Sequence, residues 1–138
     1  MTTVTHITEL LPQRPPFVMI DEILEADEKI SRGRFKIREG HLFVEGGYFT
    51  EPGIVEHIAQ TAGAGTGYKF RMAGKPTPMG YIGAIKNLNI ISLPKVGDTL
   101  ITEISFVATV MSVHMVQGRV YNDGKEIANC ELKIFLQQ

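Results

Sequence analysis

The chain has 138 residues, 43% of them hydrophobic, and a formal net charge of −1 at pH 7. That length suits one domain with a buried core, and so balanced a charge supplies no global field for nucleic acid or an anionic membrane surface. The single cysteine, Cys130, excludes an internal disulfide, and no apolar run reaches the roughly eighteen residues of a membrane-spanning helix.

The N-terminal Met-Thr-Thr-Val-Thr-His lacks the basic start and apolar core of a secretory signal, so a cytoplasmic location is expected. Ile7 to Leu11 reads as a short helical turn, which Pro12, Pro15 and Pro16 break, and Phe17-Val18-Met19-Ile20 then enters a strand. Asp21 to Lys29 is polar enough to end or turn that strand. From Arg32 the alternation is clear: Arg32, Arg34, Lys36 and Arg38 fall on one face, and Gly33, Phe35 and Ile37 on the other. The basic stripe is either the solvated side of a sheet or a meeting place for an acidic carrier protein or the phosphates of coenzyme A, together with Lys69, Arg71 and Lys75. Gly40 to Glu51 is an unperiodic loop, long enough to suggest a function.

A helix is expected from Gly53 to Met72. Between Glu51 and Lys69 its only formally charged residue is Glu56, set among Ile, Val, Ala and Gly. A charge in such surroundings must be paired, protonated or useful. Gln60 lies four residues on, on the same helical face, and Gly63 and Gly67 continue that face. The row suits either the wall of an acyl channel or a place where the sheet approaches the helix closely. His57, the immediate neighbour of Glu56, faces away from it. The rest of the chain is strand: Met79 to Ile91, Thr99 to Val110, Val113 to Tyr121 and Ile127 to Leu136. Between them lie the turn groups Pro94-Lys95-Val96-Gly97-Asp98, Met111-Ser112 and Asn122-Asp123-Gly124. One long helix followed by a meander gives an α+β domain over residues 1–138, an antiparallel sheet wrapped around a central helix. His6 and His114 have no partners at metal-ligand spacing, and Cys130 alternates with Ala128, Leu132 and Ile134 on an apolar strand face.

Several strings, in this order, resemble the hotdog-fold beta-hydroxyacyl-acyl-carrier-protein dehydratases, the FabA/FabZ family. Leu10-Leu11-Pro12-Gln13-Arg14-Pro15-Pro16-Phe17-Val18-Met19-Ile20-Asp21 is similar to the family's opening LLPHR-PFLLVD, and Pro52-Gly53 with Val55-Glu56-His57-Ile58-Ala59-Gln60 to its PG…EAxAQ helix start. Lys95-Val96-Gly97-Asp98-Thr99-Leu100 resembles its PGD-L turn, and Asn122-Asp123-Gly124 its closing hairpin. The pattern F-x-x-x-G followed by GIxE-x-x-AQ also looks like the divergent dehydratase-like proteins of aryl-polyene and related pathways. Where the family carries its catalytic histidine in GHFP, this chain has Gly40-His41-Leu42-Phe43. An alternative alignment puts Gly46-Gly47 at that place and leaves no base.

The resemblance implies dehydration of a 3-hydroxyacyl thioester in fatty-acid or polyketide-type lipid synthesis. His41 would be the base and Glu56 the acid, contributed by opposite subunits of a dimer. Imidazole suits the first task because its ordinary pKa is about 6.5, and a carboxyl group in apolar surroundings suits the second. The Gly53 N–H at the helix start would polarise the thioester carbonyl, with Gln60, Gly63 and Gly47 as further substrate contacts. The partners implied are an acyl-carrier-protein or coenzyme A thioester and a second copy of the chain. No nucleic acid, membrane, metal or redox cofactor is implied. Two other readings remain open: a non-catalytic acyl-binding or partner subunit, and an acyl thioesterase in which Glu56 activates water without His41.

Overall fold

The computed structural model describes residues 6–137; the Met1–Thr5 stretch used in the signal-peptide reading lies outside them. A 3-10 turn at Ile7–Glu9 precedes strands β1 (Glu22–Ala26) and β2 (Ile30–Lys36), a small hairpin of β3 (Val44–Glu45) and β4 (Tyr48–Phe49), and helix α1 (Glu51–Met72). Four long strands follow: β5 (Met79–Ile90), β6 (Thr99–Val110), β7 (Val113–Asn122) and β8 (Lys125–Gln137). They form one antiparallel sheet with β1 and β2, in the order β1-β2-β6-β7-β8-β5. The helix packs on one face of this sheet. Among the described residues no helix is long and apolar enough to cross a membrane.

Alternation decides which side of each strand meets the helix. Leu100, Thr102 and Ile104 of β6, Val116 and Val120 of β7, and Ala128, Cys130 and Leu132 of β8 are buried. From the helix, Ile54, Ile58 and Ala62 recur every four residues and join the same cluster. A second cluster, Ile7, Leu10, Leu11, Ile20, Ile23 and Ala64, fastens the N-terminal segment to α1. The tight hairpins use residues suited to them: Asp123 and Gly124 both have positive φ, 52° and 78°, at the β7–β8 turn.

Two expectations need correction. Phe17–Ile20 is not a strand, and the polar stretch after it is: β1 begins at Glu22, paired with Arg34. An edge strand can carry Glu22 and Glu25 because one of its faces need not be buried. The loop after Gly40 contains the β3–β4 hairpin, turned by Gly46 and Gly47 at φ 58° and 85°. The basic stripe lies on one face as expected, but most of its charge is matched within the chain. Arg32 pairs with Glu103 at 3.6 Å, Arg38 with Asp21 at 2.9 Å, and Arg34 with Glu22. Beyond the stripe, Arg71 pairs with Glu9 at 2.7 Å, and Lys69 sits over the Phe106 ring, 4.0 Å from its centroid.

Candidate active site

A cavity of about 290 Å³ opens between α1 and the β5 side of the sheet. Glu56, Ala59, Gln60, Gly63 and Thr66 line it from the helix, at spacings that place them on one face. Gly80, Tyr81, Ile82, Ile134 and Leu136 form the sheet wall. From Glu56 to Thr66 the helix rises about 15 Å, a length that suits an extended chain of methylenes.

Glu56 is half-buried, and its carboxylate accepts a hydrogen bond from Gln60 Nε2 at 2.9 Å. Gln60 is buried and fully committed: Nε2 also donates to the Phe17 carbonyl at 2.8 Å, and Oε1 accepts from the Met19 N–H at 2.6 Å. These bonds fix which end of the amide faces the carboxylate. They also explain why Phe17–Met19 joins no strand ladder, since helix side chains take the backbone groups that a neighbouring strand would have used.

The other expected residues divide. Gly63 lines the cavity, and a Cβ there would meet only Leu11 Cδ2, at 3.5 Å. Gly67 belongs to packing, because a Cβ would collide with the Leu10 carbonyl. Gly53 is buried at the start of α1, and a Cβ would come within 2.6 Å of the Phe49 ring. Its N–H, in the first helical turn, is one of the donors that a helix leaves without an internal acceptor. Thr50, the residue preceding the helix, gives its hydroxyl to the Phe43 carbonyl at 2.8 Å and caps none of them. Gly47 lies exposed in the β3–β4 turn, where its carbonyl accepts from the Val96 N–H at 3.0 Å.

His41, Gly53 and Gly47 are outside the cavity's lining, so the single chain does not bring His41 to Glu56 there. The His41 ring is half-buried, edge-on to Phe35 and Phe49 with centroids 5.6 and 5.4 Å away. Its Nδ1 accepts from the Phe43 N–H at 3.2 Å, and its Nε2 has no hydrogen-bond partner among the described residues. Burial holds its pKa below the ordinary imidazole value. His57 faces away from the cavity, as its place on the helix requires, and is fully buried. Cys130 is buried as well, and desolvation pushes its thiol up to about 11, which leaves it a packing residue.

The sequence did not single out Gln13, Phe106 or His114 as wall residues, yet all three line the cavity. Gln13 Oε1 is buried there with no partner among the described residues. His114 Nδ1 shares a 2.8 Å hydrogen bond with Thr109 Oγ1, and its ring is edge-on to Phe106. The register of β6 with β7 sets Phe106 beside His114, and Gln13 reaches the wall from the N-terminal segment; neither placement is visible in local spacing.

One helix laid on a long antiparallel sheet, with a carboxyl–amide pair facing the gap between them, is the architecture of a hotdog-fold protein. A family model described as ApeP dehydratase matches residues 5–138, and the chain belongs to this ApeP-like dehydratase family. It is similar to the 3-hydroxyacyl-[acyl-carrier-protein] dehydratase FabZ of Campylobacter lari, at 32% identity covering 99% of this chain and 98% of the relative. The FabZ dehydratase of Thermus thermophilus is 31% identical over 97% of this chain and 96% of its own length. Among solved structures, the dehydratase heterocomplex ApeI:P from Xenorhabdus doucetiae shares the fold at TM-score 0.89 and 14% identity, covering 96% of this chain and 91% of that one. A hypothetical thioesterase from Streptococcus pneumoniae, solved with coenzyme A, shares it at TM-score 0.66 and 13% identity, covering 83% and 84%.

Proposed function

We propose that this chain is a 3-hydroxyacyl-thioester dehydratase acting on acyl chains carried by a phosphopantetheine arm, in the cytoplasm, in fatty-acid or polyketide-type lipid synthesis. The observation that carries the reading is the Glu56–Gln60 pair: a carboxyl group oriented by a committed amide at the wall of a largely apolar cavity. Dehydration breaks the C2–H bond and the C3–O bond and forms the C2=C3 double bond. Glu56 Oε2 is engaged by Gln60, so Oε1 is the atom that delivers a proton to the departing hydroxyl, which leaves as water. An imidazole takes the C2 proton, and the Gly53 N–H of the same second copy that brings the imidazole receives the thioester carbonyl's growing negative charge, since both residues lie outside this chain's own cavity.

A second copy supplies the base. β5 forms one edge of the sheet, twelve residues long, and exposes Met79, Tyr81, Ile82, Ile85 and Leu88. An unpaired edge of that length is a template for another strand. Pairing there covers the apolar row, closes the cavity along Gly80–Ile82, and lets the copy's own His41 loop approach Glu56. The position of His41 outside the cavity of its own chain favours this arrangement. It equally favours one second reading, in which the chain completes the site of a different hotdog subunit.

The deciding experiment assays purified protein on 3-hydroxyacyl and trans-2-enoyl thioesters of carrier protein and coenzyme A. Glu56→Gln and His41→Ala should each lose about 100-fold to 10,000-fold in interconversion while remaining folded. Loss with Glu56→Gln alone would remove His41 from the mechanism. Thioester hydrolysis that needs Glu56 but not His41 would replace dehydration with thioesterase activity. A wild type that does neither until a second hotdog subunit is added would support the partner-subunit reading.

A further inference from the structure

We infer that His57, which the proposed chemistry does not use, is a neutral positioning residue that sets the orientation of the Glu56–Gln60 pair through the Met19 backbone. This rests on the dehydratase reading only for its consequence on turnover.

His57 is 0% exposed, with Nδ1 2.6 Å from the Met19 carbonyl oxygen and Nε2 2.7 Å from Thr102 Oγ1 on β6. A carbonyl oxygen only accepts, so Nδ1 carries the hydrogen. In a neutral ring Nε2 is then an acceptor, and the Thr102 hydroxyl donates to it. Burial pulls this imidazole down to about 4, so the neutral form is the one present near neutral pH. The ring also stacks on Phe35 with centroids 5.4 Å apart. Both partners are thus assigned by chemistry as well as by distance.

Met19 is held from two sides by one helix. His57 takes its carbonyl, and Gln60 takes its N–H. The same Gln60 amide donates to Phe17 and to Glu56. Hydrogen bonds joined through the covalent backbone of Met19 therefore link Thr102 in the sheet, by way of His57 and Gln60, to Glu56 in the cavity. If the Met19 backbone shifts, Gln60 Oε1 loses its donor, one of the three bonds that hold the amide in place. An amide held only at its Nε2 end can swing about that end, and its N–H then leaves the position that orients Glu56.

Separate substitutions test the two ring nitrogens. Asparagine places a donor near the position of Nδ1 and keeps the Met19 bond without the Thr102 bond, whereas glutamine reaches toward Thr102 and forfeits Met19. Relative to wild type, His57→Asn should keep kcat within about threefold. His57→Gln should lose about 10-fold to 100-fold in kcat with KM within threefold, an effect typical of a displaced catalytic group. This split should hold even where the two variants have the same thermal midpoint. Equal loss in both, or kcat that follows the melting temperature alone, would overturn the inference. Two readouts need no turnover: the wild-type imidazole nitrogen spectrum should show the Nδ1–H tautomer, and the Gln60 side-chain amide resonances should move in His57→Gln but not in His57→Asn. An Nε2–H tautomer, or Gln60 resonances indifferent to both variants, would overturn it even in a protein that dehydrates no thioester. Inactive wild type with the expected spectra would instead sink the dehydratase reading and leave the positioning intact.

Discussion

Two residues adjacent in sequence, Glu56 and His57, end in opposite environments because neighbours on a helix point about 100° apart. Glu56 meets the cavity, and His57 meets the sheet. The buried histidine makes stability depend on acid in a definite direction. Its folded pKa lies near 4, against about 6.5 when unfolded, so between those values the unfolded chain binds a proton that the folded chain refuses. Stability should be complete above about pH 6.5 and fall toward pH 4, by about 3 kcal/mol from this group. His41 and His114, also lowered by burial, act in the same sense. Denaturant melts of wild type and His57→Asn across that range check the sign: the variant should lose less stability on acidification, and parallel curves would show that His57 is not responsible. At this scale the sequence was partly legible. Glu56 stands out as the lone charge of an apolar helix, and helical spacing puts Gln60 and Gly63 on its face, where all three line one cavity; the bonds of His57 join residues about forty positions apart and leave no local trace.

The helix and the strands were more legible than the segment that joins them to the site. β6 runs over the expected residues, and α1 begins two residues before its expected start, because period-3.6 and period-2 patterns survive wherever one side of an element is buried. Phe17–Ile20 misled for a physical reason: an apolar run looks like a strand whether strands or helix side chains satisfy its backbone. The glycines of α1 likewise look alike in sequence and differ in use. Gly67 lies against the Leu10 backbone, and Gly63 faces the cavity, where a Cβ would make only an ordinary contact with Leu11 Cδ2. Gly67→Ala should therefore destabilise by about 1–3 kcal/mol through overpacking. Gly63→Ala should leave stability nearly unchanged while altering which acyl chains are accepted. Urea melts beside a chain-length series would check this, and equal destabilisation by both would refute the division.

For the whole molecule, the order helix-then-meander was enough to imply one antiparallel sheet around one helix. The placement of β5 at an edge, beside β8, was not, because it depends on pairing between strands distant in the chain. That edge argues for a second copy. Wild type in solution should have twice the chain's mass, and Ile85→Lys, a charge set into the exposed apolar row, should shift it toward a single chain and lower dehydratase turnover in parallel. A monomeric wild type would refute the pairing, and an unchanged variant mass would remove Ile85 from it. A monomeric variant with full turnover would mean that the site is complete in one chain.

The side-chain clamp on Phe17–Met19 also has a consequence for the order in which the molecule assembles. Its partners, Gln60 and His57, lie 41 and 38 residues further along the chain. A ribosome releases Met19 well before the helix that holds it, so this stretch waits undocked until α1 exists and has met the sheet. Long loops close slowly relative to local turns. Once docked, the Met19 amide belongs to no strand yet is anchored in the buried core, so its hydrogen should exchange with solvent as slowly as those of the central strands. Fast exchange there would mean that the N-terminal segment opens on its own, carrying the Gln60 anchor with it.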